Sequence, residues 1–593
     1  MRHALILSMW LTAASVAAAP PQPPAAAAPA EDGNWTMPGK NFAATRFSGL
    51  NDLNTDNVSG LRVEFTFSTG VVRGQEAAPL VVADTMYVVT PFPNHVFALD
   101  LNRHGALKWH YEPKPVAAAQ GVACCDVVNR GIQYADGRIY LATLDGQVIA
   151  LDAATGAERW RITLGQINKG ETITMAPLVV KGKVLVGNSG GEFGVRGWIA
   201  ALDAASGQQL WRAYNTGPDT DVLIGSAFKP FYPSERGPDL GVTTWPPEAW
   251  RIGGGTVWGW ISYDPDLNLI YHGTANPGPW NSEQRPGDNK WTGGIFARDL
   301  DSGAARWFYQ SVPHDLYDYD AINELVLLDA QIDGAQRRVL VRPERNGYLY
   351  VIDRTSGEVL SADPYAHVNS ITSVDVKTGR PTYNPDKKPQ LGKVVRDICP
   401  AAPGAKDWNP SAYSPRTGLL YIAHLNLCMD WESVEANYIA GTPYVGANTV
   451  MHAGHGGYRG ELSAWDVLGR KNAWSVKEDL PLWSGVLATA GDLVFYGTLD
   501  GYLKAVDARS GAAKWQFRTG SGIIGQPISY RGPDGRQYIA VLCGIGGWVG
   551  TIVVNKIDTR DPTAVSGFAS AVGDLPGKTA KGGTLYVFAL PRP

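Results

Sequence analysis

The stretch "ALDAATGAERWRI", residues 150–162, decides how the rest of this chain is read. It runs apolar strand, Asp, Gly turn, strand, Trp. A tight hairpin that needs a positive φ explains the Asp/Gly spacing. The pattern recurs as "ALDLNRHGALKWHY" (98–111), "ALDAASGQQLWRA" (201–213), "ARDLDSGAARWFY" (297–309) and "AVDARSGAAKWQF" (505–517). "VIDRTSGEVL" (351–360) is a copy without the tryptophan, and "AWDVLGRKNAWSV" (464–476) is a degraded seventh. One tryptophan per hairpin can stack on a neighbouring sheet and staple the two. A long repeat in a β-rich chain implies radial repetition, hence a propeller.

Working outward, other short stretches read as strands of four to seven residues between Gly/Asp turns. They are "LVVADTMYVVT" (80–90), "GRIYLATL" (137–144), "GKVLVGNS" (182–189), "DLVFYGTL" (492–499) and "RQYIAVLCG" (536–544). Long amphipathic helical patterns are absent. Seven copies in the 593 residues leave room for an eighth. The expectation is an all-β fold, an eight-bladed β-propeller with Trp-docking repeats. About 70 residues per blade exceeds the ~40–45 of a minimal blade. The excess belongs in loops, where sites are built on a rigid scaffold. The longest irregular stretches fall at 216–260, 276–292, 361–412 and 428–460.

The domain reading has two parts. Residues 1–30 carry a short basic start, an apolar run "ALILSMWLTAASVAAA" and a Pro/Ala tail. They read as a cleaved signal peptide with a loose mature end. The apolar run is shorter than the ~20 residues of a membrane span. Residues 31–593 are then one propeller domain, without a membrane span, exported to the periplasm. Net charge is −4 with no basic stripe, which excludes nucleic acid as a partner. The five cysteines fit an oxidising compartment, and no CxxCH or CxxC occurs, so covalent haem and a zinc ribbon are excluded. "GSGIIG" (520–525) matches GxGxxG but leads into another strand, so it is a turn and not a dinucleotide fingerprint. No HExxH, GxSxG or Walker sequence supports a hydrolase or nucleotidase.

Two motifs carry chemistry. "ACCDVVNRG" (123–131) has adjacent cysteines. Neighbouring Cα atoms lie ~3.8 Å apart, closer than an ordinary disulfide prefers. A Cys124–Cys125 bond would therefore be a strained ring, of the kind found at functional sites. The alternatives are two buried thiols or sulfurs paired elsewhere. Cys399 and Cys428 can pair, leaving Cys543 single. "HDLYDYDA" (314–321) sets three aspartates within six positions of a chain that is only 18% charged. If the stretch is extended, Asp318 and Asp320 point to one side. Two such charges raise a pKa or call in a cation. Further oxygens lie in two other Gly-rich loops, at Glu192 and Asn276. The alternative is a solvated acidic loop.

At these residues the chain resembles the quinoprotein alcohol dehydrogenases, and among them the lanthanide-dependent methanol dehydrogenases. The resemblance spans about residues 32–590. Its motifs include "STGVVRGQEAAPLVV", "ACCDVVNRG", "SGGEFGVRG", "GGGTVWGW", "TANPGPWN", "RPGDNKWT", "RPERNGYLYVIDR", "CMDWE", "ATAGDLVFYGTLDGYLKAVD" and "GIGGW". It implies an eight-bladed propeller with pyrroloquinoline quinone (PQQ) on its axis. One face of the ring would meet a vicinal disulfide of Cys124 and Cys125, the other Trp258. The remaining implied cofactor contacts are Glu76, Arg130, Thr174, Ser189, Gly190, Gly191, Thr256, Arg345, Trp483 and Trp548. Asp407 stands where the calcium enzymes carry asparagine, and it is placed among the contacts. The implied metal ligands are Glu192, Asn276, Asp318 and Asp320. The calcium enzymes have a small residue at the last position, so Asp320 marks a lanthanide site (lanthanum, cerium or neodymium class), with calcium as the alternative. Three protein carboxylates plus one from the cofactor are offset better by a trivalent than a divalent ion. The implied catalytic residues are Asp318, as proton acceptor, and Arg345, at the reactive quinone oxygen. The expected function is oxidation of a small primary alcohol, methanol foremost, with electrons passed to a soluble cytochrome c. Relatives often form homodimers. A non-catalytic periplasmic propeller scaffold is the remote alternative; it would lack "ACCD" and the acidic ligand set.

Overall fold

In the computed structural model, residues 31–592 are described. The expected signal segment lies outside them. Eight sheets of four or five strands account for most of the chain. Five are built from consecutive strands, with the first blade comprising Leu80–Val82, Thr85–Val89, Val96–Asp100 and Ala106–Tyr111; the sixth is interrupted by Leu427–Ser433 and Ala447–Ala453, and the seventh adds Phe47–Ser48 as a parallel edge strand. The eighth joins the two ends of the described chain: Arg62–Ser68 pairs antiparallel with Thr584–Ala589, beside Gln537–Cys543 and Ile528–Arg531. This blade has no repeat copy to read, because its first strand and its other three lie at opposite ends of the sequence.

The repeat explains how neighbouring blades join. Asp152 Oδ1 accepts hydrogen bonds from the backbone N–H of Ala154 and Thr155, closing the hairpin turn. Gly156 follows at φ +73°, and a Cβ there would sit 2.7 Å from the Trp109 ring of the preceding blade. The same indole donates to Ala153 O at 3.0 Å. Trp160, Trp211, Trp307 and Trp474 make equivalent bonds to Ala204, Leu300, Arg354 and Ala508 of the next blade, at 3.0–3.1 Å. Trp515 donates to Leu61 O at the start of the eighth blade. That blade meets the first through Phe65, whose ring leaves no room for a Cβ at Gly105. The copy lacking tryptophan marks an interface where no aromatic ring takes the tryptophan's place. There Arg470 pairs with Asp363 instead, at 2.8 Å. The chain of contacts returns to its starting blade, so the sheets form a closed ring of eight. This is the eight-bladed propeller read from the repeats.

Other readings are borne out or corrected. The stretches read as strands are strands, including Lys183–Gly187, Leu493–Gly497 and Gln537–Cys543. Ile528–Arg531 follows "GSGIIG", so no helix starts there. Two stretches expected to be irregular instead contain sheet. Ile371–Asp375 pairs with Arg380–Tyr383, and Val394–Ile398, Leu427–Ser433 and Ala447–Ala453 form a three-stranded sheet. Their cross-strand pairs lie outside the repeat, so its period could not reveal them. Cys399 and Cys428 form a disulfide that ties this sheet to the preceding loop. No helix among the described residues is long and apolar enough to cross a membrane.

Candidate active site

Two kinds of position supply the site: the segment entering a blade's first strand, and the turn after its second. Both lie at one end of the ring, and their side chains converge on a cavity of about 230 Å³. Glu76 precedes the first blade's first strand, and Cys124–Arg130 precede the second's. Thr174 precedes the third's, Trp258 the fourth's, Asp318 and Asp320 the fifth's, Asp407 the sixth's and Trp483 the seventh's. Ser189, Gly190 and Glu192 follow second strands of their blades, as does Arg345. Trp548 comes from Gly547–Val554, the longest helix among the described residues. A site scattered over more than four hundred positions is thus assembled by ring closure.

Most of the expected residues line the cavity directly. Gly191, Thr256 and Asn276 lie just behind them. A Cβ at Gly191 would stand 3.3 Å from Asn276 Oδ1 and 3.8 Å from Thr256 Oγ1. Trp280 and Trp408 also line the cavity and were missed. Their signal was position alone: Trp280 closes the quoted "TANPGPWN" and Trp408 adjoins Asp407.

The acidic stretch is not a solvated loop. Asp315, Asp318 and Asp320 are all buried. The stretch is not extended either, which corrects the expectation. Asp318 sits at φ +67°, and Asp320 N–H donates to Asp318 O at 3.1 Å. Asp315 holds this turn by accepting from the N–H of Tyr317 and Tyr319. Asp318 and Asp320 still face one group, because Arg345 Nη1 lies 3.7 Å from one carboxylate and 3.2 Å from the other. Asp407 takes Arg345 Nη2 at 2.7 Å. Burial opposes the Arg345 charge, but these three carboxylates outweigh it and raise its pKa.

Electrostatics set the character of the cavity. Six carboxylates and two guanidiniums line it. Burial pushes Glu76 up to about 8 and Asp320 up to about 7. Burial also raises Glu192, and it raises Asp318 strongly, with Asp320 and Glu192 adding their repulsion. Arg130 donates to Thr174 Oγ1 at 2.7 Å, and its guanidinium lies 4.6 Å from the centre of the Trp258 ring. Its Nε is 3.2 Å from Glu76 Oε2, a charge contact off the line of a hydrogen bond.

The Cys124 and Cys125 sulfurs stand 2.9 Å apart, in contact but unjoined. The pair still borders the cavity with its sulfurs in contact. Glu192, Asp318 and Asp320 border the same cavity, and Asp318 and Asp320 both face the Arg345 guanidinium.

The residues present fit an anionic, carbonyl-rich ring together with a cation. Buried polar atoms of cavity-lining residues lack hydrogen-bond partners: Glu76 Oε2, Asp318 Oδ1, the Nε atoms of Arg130 and Arg345, and the indole nitrogens of Trp280, Trp408 and Trp483. Such atoms are costly unless a ligand satisfies them.

Residues 35–362 and 459–539 match the glucose/ethanol/alcohol dehydrogenase β-propeller domain of PQQ enzymes. The chain belongs to this family of PQQ-dependent quinoprotein alcohol dehydrogenases. It is 51% identical to the lanthanide-dependent methanol dehydrogenase of Methylacidiphilum fumariolicum (strain SolV), over 94% of this chain and 93% of the relative. It is 46% identical to methanol dehydrogenase [cytochrome c] subunit 1 of Methylorubrum extorquens, over 94% of this chain and 91% of the relative. Among solved structures, a europium-containing methanol dehydrogenase superposes with a TM-score of 0.93 at 51% identity, covering 95% of this chain and 99% of the other.

Proposed function

We propose that this chain oxidises a small primary alcohol, methanol foremost, in the periplasm and passes the electrons to a cytochrome c. PQQ would lie between the Cys124–Cys125 pair and Trp258, with a lanthanide ion held by Glu192, Asn276, Asp318 and Asp320. When bound, PQQ accepts the hydride of the alcohol carbon, and the trivalent ion beside it acts as a Lewis acid. Everything else falls to the chain. Arg345 supplies a fixed positive charge, oriented by Asp407. Glu76, Arg130, Thr174, Ser189, Gly190, Gly191, Thr256, Trp483 and Trp548 position the cofactor. Asp318 takes the hydroxyl proton on Oδ1 as general base.

One observation carries this reading: Asp318 Oδ1 is buried, without a hydrogen-bond partner, on the wall of the cavity that all the cofactor-contact motifs surround. A carboxylate whose pKa is raised is a stronger proton acceptor once ionised. The relatives named above support the alcohol, the ion and the electron acceptor. The test is dye-linked alcohol oxidation by metal-stripped protein with PQQ, adding back calcium or light lanthanides separately. Activity restored by lanthanum supports the reading. Activity with calcium and none gained from lanthanum assigns the calcium type. A protein that stays colourless and inactive after reconstitution overturns the enzymatic reading.

A further inference from the structure

The first blade carries a second group of ligating side chains, outside the central cavity. Val96 pairs with Tyr111 and Phe97 with His110 across two adjacent strands. By that register His95 stands opposite Glu112, so residues 95, 97, 110 and 112 share one face of the sheet. The two imidazoles lie 4.8 Å apart between centroids. His110 Nδ1 is 3.8 Å from Glu112 Oε1. One ligand atom from each of His95, His110 and Glu112 lies within 4.8 Å of the other two.

The backbone of His95 and the ring of His110 are held in place. His95 exchanges backbone and side-chain bonds with Thr90: its N–H donates to Thr90 Oγ1, and its carbonyl accepts from Thr90 N–H, each at 3.0 Å. The His110 ring stacks on Phe97 with centroids 4.4 Å apart and planes 6° from parallel. Phe97 is in turn packed edge-on by Phe67 of the eighth blade, at 5.1 Å. Two positioned imidazoles and one carboxylate, leaving one face open to water, are the donor set of a three-ligand zinc site. His110 lies on a strand, and His95 and Glu112 directly adjoin the paired strand ends, a firmer footing for a metal than a free loop.

We propose that His95, His110 and Glu112 bind a divalent transition ion of the zinc class, separate from the ion of the central cavity. Burial and the neighbouring His110 lower the pKa of His95, which keeps that imidazole neutral and its lone pair free near pH 7. The site lies at the root of residues 113–123, the segment that leads to Cys124.

The test uses the holoenzyme, with its own metal and cofactor in place, and Zn2+ as probe. Zinc is titrated against a chelating dye and the bound metal is counted by mass spectrometry. The expected result is one Zn2+ per chain beyond the holoenzyme's own content. Glu112→Ala replaces an exposed side chain and keeps the fold, and it weakens binding at least about tenfold. The pair His95→Ala and His110→Ala abolishes it. A parent that binds no added Zn2+ in excess, or equal binding by the parent and both variants, overturns the proposal.

Discussion

The backbone N–H of Asn276 donates to Asp320 Oδ1 at 2.7 Å. This bond joins two of the four expected metal ligands across neighbouring blades. It leaves Asp320 Oδ2 facing Arg345.

Asp320→Ala therefore removes one anion and one support for Asn276. The expected outcome is loss of lanthanide-supported turnover by about 10- to 100-fold, since a lost charge-assisted contact costs roughly 1.5–3 kcal/mol. The check is kcat with lanthanum and with calcium in parent and variant. An unchanged ion preference removes Asp320 from the metal site.

Asp318→Ala tests the general base. Such groups contribute about 10²–10⁴ in rate, so kcat falls by at least that order; bound metal and cofactor absorbance are measured beside it, because Asp318 is also one of the four proposed ligands. Full turnover with both still bound would exclude Asp318 as the proton acceptor.

Asp407 lines the cavity and pairs with Arg345. Its Oδ1 accepts from both Arg345 Nη2 and Trp408 N–H, each at 2.7 Å. Asp407→Asn keeps the shape and removes the charge. The expected fall in kcat is about 10-fold or more, the order of one charge-assisted hydrogen bond. A lower kcat at unchanged melting temperature would show that Asp407 acts through Arg345 rather than through stability.

The pH dependence of stability has a definite sign. Glu76 ordinarily titrates near 4.5 and is pushed up to about 8 by burial. A folded protein that keeps this proton while the unfolded chain has lost it becomes less stable as pH rises. The buried His272 is shifted downward and works the other way, but only below its ordinary 6.5. The cofactor- and metal-free protein should thus lose melting temperature from about pH 6.5 to 8.5, by up to about 1.4 kcal/mol per pH unit for this group. Glu76→Gln flattens the slope. A melting temperature that rises over this range in the parent would contradict the assignment.

The docking tryptophans carry stability. Trp307 is almost fully buried, bonds Arg354 O, and packs on Gly357. Trp307→Ala should cost about 3–5 kcal/mol, and Trp307→Phe only about 1, for the lost hydrogen bond. Thermal unfolding of both variants checks the order.

The repeat was legible in the sequence because its physics is local. A turn that needs Gly at positive φ, an Asp to close it and a tryptophan to fill the space over the next Gly all fall within thirteen residues. The site residues were legible through family motifs, since each sits in a short distinctive stretch at a blade's end, several of them Gly-rich. Trp280 and Trp408 escaped because nothing in their own neighbourhoods distinguishes a cavity wall from a core.

By itself the sequence determined most of the ring: its seven repeats specify seven of the eight sheets and most of the contacts that staple them. The tertiary structure decided what long-range meetings decide. It joined Arg62–Ser68 to Thr584–Ala589, gave Asp318, Asp320 and Asp407 to a single arginine, and set His95 beside His110. The reason is geometric and electrostatic. Local turns are fixed by residues a few positions apart, whereas burial and charge sharing depend on which distant loops a closed ring brings together.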